Sequence, residues 1–182
     1  DTPWTNEEVQ SLYDANISEI RINEVGSVIE QLDKNEDLSY TIYQSSENDK
    51  VTGYAIPIAG KGLWGTMYGY FAIEPDAETV KGITFYKHKE TPGLGAEVDK
   101  DWFKNNFVGK KLTNKNGELV SIEVIKGYVS DTDPDAPHKV DGISGATITG
   151  TGLTTFLKSD LQKYEPYFAN CLLYTSPSPR DQ

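Results

Sequence analysis

A short run of small and hydroxyl-bearing residues, DGISGATIT at positions 141–149, stands directly before a strongly periodic apolar pattern. Apolar side chains then recur every three or four residues, the spacing of one face of an α-helix: Leu153, Leu157, Leu161, Tyr164 and Phe168. The hydroxyls and the Gly145–Ala146 pair therefore fall at a helix start, where free backbone N–H groups and the helix dipole favour an anion such as phosphate. Ser and Thr also cap helices, so the position alone leaves an ordinary N-cap as the alternative.

Composition and charge exclude several classes of protein. The chain has 182 residues, which suits one domain or two closely packed lobes, and its 37% of hydrophobic residues suffices for a core. Its net charge of -11 argues against nucleic acid as a partner. No stretch reaches the roughly 18 consecutive apolar residues of a membrane-spanning helix. The opening residues, DTPW, contain neither an initiator Met nor a signal peptide, so we expect the chain to be trimmed at its N-terminus.

The single cysteine, Cys171, excludes an internal disulfide and a cysteine-based metal cluster. It opens a tail, 171–182, that departs from the preceding helical pattern and ends in Pro- and Ser-rich sequence. We interpret this tail as vector-derived, with a native disordered tail as the alternative. The folded domain is therefore expected to span residues 1–170.

Hydrophobic periodicity predicts a helix at each end of the chain and strands between them. The first helix is expected from Asn6 to about Asp33, begun by a capping box from Thr5 to Glu8. Strands are then predicted over 38–44, 51–58, 64–73, 80–87 and 119–129, with turns over 45–50 and 74–78 and a helix over 96–106. Pro57 favours an edge strand or a strand end. Because strands come in runs, we predict an α+β domain with a mainly antiparallel sheet and packed helices.

Three local motifs resemble functional signatures but each lacks a required part. The GKGLWG run at 60–65 leads into a strand rather than a helix, so it predicts a turn and not a dinucleotide site. The acidic residues of 131–135 imitate a calcium loop, but its sixth and twelfth positions are not the required Gly and Glu. GISGA at 142–146 has Ala146 where a nucleophile elbow has its last Gly. With only two histidines in the chain, no catalytic residue and no metal ligand is assigned.

Two further stretches offer surfaces to a flat ligand. In ETPGLGAE at 90–97, the Pro-Gly pair fits a tight turn, and Gly95 allows close backbone approach while Leu94 offers apolar surface. An ordinary strand-to-helix turn is the alternative. Trp64, Tyr68 and Tyr70 are predicted to share one strand face, where cross-strand packing is more common than stacking on a ring system.

The motifs taken together resemble the FMN-binding domain family over about residues 60–168. DGISGATIT resembles the flavinylation motif of that family. The other matching runs are GLWGTMYG at 62–69, ITFY at 83–86, ETPGLG at 90–95, KG at 126–127 and HKVDG at 138–142. The family occurs in the C subunit of the Na+-translocating NADH:quinone reductase and in the G subunit of the Rnf complex. The WGTMYG run favours the first of these branches.

The resemblance implies a set of cofactor-binding residues. Thr147 is expected to carry FMN through a phosphoester bond, with the rest of the motif near the phosphate and ribityl chain: Ser144, Gly145, Ala146 and Thr149. The isoalloxazine ring is expected to be bordered by Glu90, Thr91, Leu94 and Gly95, with weaker candidates in Trp64, Thr66 and Lys126. Asp141 belongs to the motif recognised during attachment and could hold Mg2+ for a flavin transferase.

The resemblance also implies a function. It predicts a covalent-FMN electron carrier within a membrane NADH:quinone reductase, on the periplasmic side of a bacterial inner membrane, with an N-terminal membrane helix absent from this chain. A threonine hydroxyl is a weak nucleophile, and the motif contains no base to activate it, so attachment is expected to need a flavin transferase with FAD as donor. Partners would be the other subunits of the complex. The alternatives are an Rnf G subunit and a flavin-free surface binding module with the same fold.

Overall fold

A five-stranded antiparallel sheet forms the centre of the computed structural model, which describes residues 4–30 and 38–175. The strands follow one another in the order β1-β2-β3-β4-β5. Their bounds are β1 Ile17–Ile22, β2 Tyr40–Glu47, β3 Lys50–Lys61, β4 Thr66–Ile73 and β5 Val80–Lys87. Each adjacent pair is antiparallel, and the connection predicted over 74–78 joins β4 to β5 as a hairpin. The predicted α+β class with a mainly antiparallel sheet is therefore confirmed.

Helices and a small second sheet complete the domain. Helix α1 precedes β1, a 3-10 turn and α2 follow β5, and the long α3 closes the described chain. Their bounds are α1 Asn6–Asn16, the 3-10 turn Gly95–Asp99, α2 Asp101–Asn105 and α3 Thr147–Thr175. Two short parallel strands, β6 Glu123–Val124 and β7 Lys139–Val140, lie just before the start of α3 in the sequence. Within residues 4–30 and 38–175, no helix combines the length and hydropathy needed to cross a bilayer.

Helix α3 packs its predicted apolar stripe against β3, and all five residues of the stripe are buried. Burying a Leu or Phe side chain contributes about 1.5–3 kcal/mol, so this contact holds α3 firmly on the sheet. The approach is close because glycine lies at the contact: a Cβ on Gly60 would stand 2.0 Å from the Cβ of Phe156. The Asp160 carboxylate also accepts a hydrogen bond from the backbone N–H of Ala59 at 2.8 Å. These two contacts fix α3 against the end of β3.

The predicted first helix begins where expected but ends much earlier than predicted. The capping box is confirmed, since Thr5 and Glu8 exchange side-chain to backbone hydrogen bonds. The helix nevertheless ends at Asn16, and Ile17–Ile22 forms β1, paired with β2. β-Branched isoleucines favour the strand here because pairing buries Ile22, whereas α1 buries none of its residues. The predicted helical residues 31–33 lie outside the described part of the chain.

Pro57 lies in the interior of the central strand, so the prediction of an edge strand or a strand end was wrong. The register between β2 and β3 runs from Glu47–Lys50 only as far as Tyr43–Ala55. Pro57 stands beyond that point, in a part of β3 that pairs with β4 alone, opposite Tyr70. Pro57 has no N–H to donate, and this is tolerated because β3 pairs with a neighbouring strand on only one side at this point.

Other boundaries also differ from the predictions. Strand β4 begins at Thr66, so Trp64 lies in the preceding loop and does not share a strand face with Tyr68 and Tyr70. β2 and β3 leave only two residues between them where a turn was predicted over 45–50. The predicted helix over 96–106 is divided at Lys100, whose backbone is extended, with ψ of 142°.

The predicted strand over 119–129 is mostly irregular. Only Glu123–Val124 is in β6, and Leu119 makes an isolated bridge to Thr113. Ser121 interrupts the extended backbone with a φ of +67°. At the other end of the chain, the backbone of α3 continues through Thr175, so the departure from helix expected at 171 is not seen there. Residues 176–182 lie outside the described chain, and the vector origin of the tail stays a prediction.

Candidate functional site

The start of α3 has no side-chain oxygen at the position that normally caps a helix. Ala146 stands immediately before the first helical residue, Thr147, and its carbonyl accepts from the N–H of Gly150 at 3.1 Å. A tight turn leads into it, in which the N–H of Ala146 donates to the carbonyl of Ile143 and Gly145 adopts a φ of +75°. The N–H groups of the first turn have no intrahelical acceptors, so this helix start suits an anion.

The hydroxyls of the motif are not equivalent. Ser144 and Thr147 are exposed, whereas Thr149 is only 1% exposed. Thr147 and Thr149 are two residues apart, and about 200° of rotation around a helix separates such positions. The hydroxyl of Thr149 donates a hydrogen bond to Oε2 of Glu90 at 2.5 Å. Of the two threonines, Thr147 is therefore the exposed one, and the Thr149 hydroxyl is engaged by Glu90.

A cavity of about 460 Å³ adjoins this helix start. Its lining combines the β6 segment with the motif: Glu123, Val124, Ile125, Lys126, Gly127, Tyr128, Gly142, Ile143, Ser144, Gly145, Ala146, Thr147, Gly150 and Thr151. Lys126 is the cation among these residues and Glu123 the anion. The site therefore brings a lysine, a threonine hydroxyl and a helix N-terminus to one cavity, a combination that favours binding of a phosphate group.

The loop that carries Lys126 is held by the motif itself. Oδ1 of Asp141 accepts from the N–H of Val129 at 2.7 Å, and the N–H of Gly142 donates to the carbonyl of Gly127 at 2.8 Å. Gly142 is needed for this contact, since a Cβ there would stand 2.0 Å from the carbonyl oxygen of Ile125.

Among the described residues, no three His, Cys, Asp or Glu side chains come close enough to hold a metal ion.

Lys139 holds the acidic loop before the motif through ion pairs to Asp133 and, at 3.7 Å, to Asp135. Nζ of Lys139 on β7 lies 2.9 Å from Oδ2 of Asp133. This hydrogen bond raises the pKa of Lys139 and, together with the N–H of Asp135, lowers the pKa of the Asp133 carboxyl. The loop is thus fixed against the strand that leads into the motif.

The ETPGLG stretch meets the motif from the other side. Leu94 lies across the motif turn, because a Cβ on Gly145 would stand 2.8 Å from a methyl group of Leu94. Gly95 is buried beside Glu90 and Thr149. Thr91 is exposed, and its carbonyl accepts from the N–H groups of Leu94 and Ala96, which shapes the turn.

The remaining predicted site residues lie around these groups. Glu90 is only 6% exposed and directs both carboxylate oxygens to protein donors rather than to a cavity. Trp64 is 64% exposed, and its backbone N–H donates a hydrogen bond to Glu90. Thr66 lies at the start of β4, opposite Lys61. The structure thus gathers Lys126 and the motif around one cavity and places Leu94 beside it.

Sequence reasoning missed a second cavity, of about 540 Å³, that shares Tyr128, Gly142, Ile143 and Ser144 with the first. It is also lined by Gly93, Glu97, Trp102, Asn106 and Asp141. Tyr128 is 85% exposed between the two cavities, and nothing in the local sequence marks it. Trp102 lies in α2, where it is 46% exposed and its Nε1 donates to Glu97 at 3.1 Å.

An α+β domain with a free hydroxyl at an uncapped helix start is a domain suited to an anionic, phosphate-bearing ligand. The chain belongs to the FMN-binding domain family, whose model matches residues 62–162.

Curated relatives are the C subunits of Na(+)-translocating NADH-quinone reductases. The Pseudomonas aeruginosa protein is 41% identical over 132 residues, which are 71% of this chain and 50% of the relative. The Chlamydia muridarum protein is 45% identical over 129 residues, 63% of this chain and 41% of the relative. The chain therefore spans half or less of the length of these relatives.

Solved structures support the same relationship. The C subunit of the Na(+)-translocating NADH-quinone reductase of Parabacteroides distasonis superposes with a TM-score of 0.77 at 31% identity, covering 97% of this chain and 87% of that one. NqrC of Shewanella oneidensis also superposes with a TM-score of 0.77, at 26% identity, covering 92% and 89%. The fold predicted from the sequence is thus the fold of these subunits.

Proposed function

We propose that this chain is the FMN-carrying domain of the C subunit of a Na+-translocating NADH:quinone reductase, with FMN held covalently through a phosphoester to Thr147. The observation that carries the proposal is the exposed Thr147 hydroxyl at an uncapped helix start, in a cavity that also contains Lys126. The buried position of Thr149 leaves Thr147 as the reactive threonine of the pair.

The residues present fit FMN. Its phosphate would meet the first-turn N–H groups of α3 and the ammonium group of Lys126, both of which stabilise negative charge. Leu94, Trp102 and Tyr128 supply apolar and aromatic surface beside the motif, as a flat ring requires. Flavin, when bound, supplies one- and two-electron redox chemistry, while the protein positions and tunes it.

Attachment is a phosphoryl-group transfer that the chain does not complete alone. Loading would join the Thr147 oxygen to the phosphorus on the FMN side of FAD, and the pyrophosphate P–O bond would break to release AMP. The hydroxyl proton would pass to a base, a role that we assign to a flavin transferase, since a threonine hydroxyl is a weak nucleophile without an activating base.

The surface around Thr147 suits an electron carrier. Large apolar side chains beside the motif are exposed rather than buried: Leu94, Trp102, Tyr128 and Ile148. An electron carrier must bring the edge of its flavin ring close to a donor and an acceptor. We therefore propose that the other subunits of the complex dock on these exposed apolar side chains. As a separate part of the proposal, we place the domain on the periplasmic side of the inner membrane, anchored by a helix outside this chain.

The proposal is tested by coexpressing the chain with a flavin transferase and inspecting the denatured band for flavin fluorescence under ultraviolet light. We expect a fluorescent band that requires the transferase and is lost in Thr147→Ala. The loaded domain should be reduced by dithionite but oxidise NADH very slowly. A dark wild-type band, with a transferase active on another substrate, would favour a flavin-free binding module. Fast NADH oxidation would make the domain a dehydrogenase instead.

A further inference from the structure

Glu90 is a buried carboxylate at the junction of three separate segments. Its Oε2 accepts from the Thr149 hydroxyl at 2.5 Å, and its Oε1 accepts from the backbone N–H of Trp64 at 3.0 Å. Its own N–H donates to Nδ1 of His88 at 3.1 Å, while Nε2 of His88 bonds to Asp99 at 2.6 Å. The side chain thus joins the β3–β4 loop to the first turn of α3, across sequence separations of 26 and 59 residues.

Two glycines make room for this carboxylate. A Cβ on Gly62 would stand 2.6 Å from Oε1 of Glu90, and a Cβ on Gly95 would stand 2.5 Å from Oε2 and 2.7 Å from the Thr149 hydroxyl oxygen. Real side-chain atoms do not approach this closely, so any larger residue at either position would displace Glu90. The GLWG and GLG runs of the sequence therefore enclose the carboxylate from both sides.

The Glu90–Thr149 bond has a consequence for Thr147. It holds one side of the first turn of α3 against the buried carboxylate, and Thr147 lies about 200° around the helix from Thr149. Rotation of this turn would carry Thr147 away from the cavity and Lys126. We propose that Glu90 is a positioning residue for flavin attachment: by binding Thr149, it orients the helix start so that the Thr147 hydroxyl faces the incoming phosphorus.

The inference rests on the proposed function, and its test uses variants that separate the two. Glu90→Met keeps an unbranched side chain but removes both acceptor oxygens. Glu90→Gln is the matched control, because its amide can accept from Trp64 and donate to the Thr149 oxygen. Thr149→Val removes the hydroxyl at nearly constant volume, and Thr149→Ser retains it.

The measurement is the rate of FMN incorporation by a flavin transferase, per folded molecule, well below the melting temperature of each variant. Leaving a buried polar group unpaired is costly, so Glu90→Met and Thr149→Val should each lower kcat by about tenfold. The KM for the chain should change less than about twofold, because the exposed residues of the motif, Ser144 and Thr147 among them, are unaltered. Glu90→Gln and Thr149→Ser should stay within about threefold of wild type. Since both losses remove the same bond, the double variant should be no slower than the slower single variant.

The outcomes distinguish failure of this inference from failure of the proposed function. A wild-type chain that takes up no FMN, or takes it up unchanged as Thr147→Ala, would contradict both. If wild type is loaded at Thr147 and the folded Glu90→Met is loaded equally fast, Glu90 has no positioning role. Should Glu90→Met not fold, a wild-type rate in folded Thr149→Val overturns the inference. Fully additive losses in the double variant would overturn it as well.

Discussion

Asp141 and Val129 are joined by a 2.7 Å hydrogen bond from the backbone N–H of Val129 to the carboxylate of Asp141. The next motif residue, Gly142, reinforces it by donating its N–H to the carbonyl of Gly127. The first two residues of the motif therefore fasten the loop that carries Lys126 and Tyr128 over the cavity. This gives Asp141 a structural role in addition to any part in recognition by a transferase.

Replacing Asp141 should loosen that loop. In Asp141→Ala, the Val129 N–H loses its acceptor, at a cost on the order of 1 kcal/mol, or about fivefold in local opening. Asp141→Asn retains a carbonyl oxygen and should keep most of the protection. Amide hydrogen exchange at Val129 measures the effect, with Asp131→Ala as the control for an exposed acidic residue of the following loop. Unchanged exchange in Asp141→Ala would remove the structural role.

Lys126 should assist attachment through its charge. In Lys126→Gln, FMN incorporation at limiting transferase should slow by about two- to fivefold, the range expected for a partly solvated ion pair. The loss should shrink as salt screens the interaction. Lys115→Gln is the matched control, since Lys115 is also exposed but lies outside both cavities. Equal rates for the two variants at low salt would show that Lys126 does not meet the phosphate.

Asp160 should be important for stability rather than for attachment. Its carboxylate is 5% exposed and bonds to the N–H of Ala59, so Asp160→Ala should lower the free energy of unfolding by about 1–3 kcal/mol. Lys163→Ala, which removes the partly exposed partner of the same carboxylate, should cost less than about 1 kcal/mol. Urea denaturation of both variants compares them. A larger loss in Lys163→Ala would assign the stabilisation to the ion pair.

The periodicity of apolar residues predicted those parts of the fold that depend on local sequence. The apolar stripe from Leu153 to Phe168 is the buried face of α3, because a helix period leaves few other arrangements. Ile17–Ile22 was misassigned because its isoleucines fit a helical and a strand period alike, and pairing with β2 decided between them. Ser121 could not be predicted as a break, since serine seldom adopts a positive φ and its N–H bonds to the carbonyl of Leu112, nine residues earlier.

The site shows the same division between local and long-range information. Ser144, Gly145, Ala146 and Thr147 form one stretch, and a helix start after them follows from spacing. The burial of Glu90 could not be predicted in this way, because carboxylates are usually exposed and its partners Thr149 and Trp64 are distant in sequence. Tyr128 was missed for a related reason: only the fold brings it between the two cavities.

The central claim is that Thr147 alone carries the flavin, and peptide mapping tests it most directly. After coexpression with a flavin transferase, trypsin should release residues 140–158 as one peptide that contains Ser144, Thr147 and Thr149. Fragmentation of that peptide should place a single FMN phosphoester on Thr147, with none in Thr147→Ala and retention in Thr147→Ser. FMN on Ser144 or Thr149 in the wild-type chain, or undiminished incorporation in Thr147→Ala, would contradict the account.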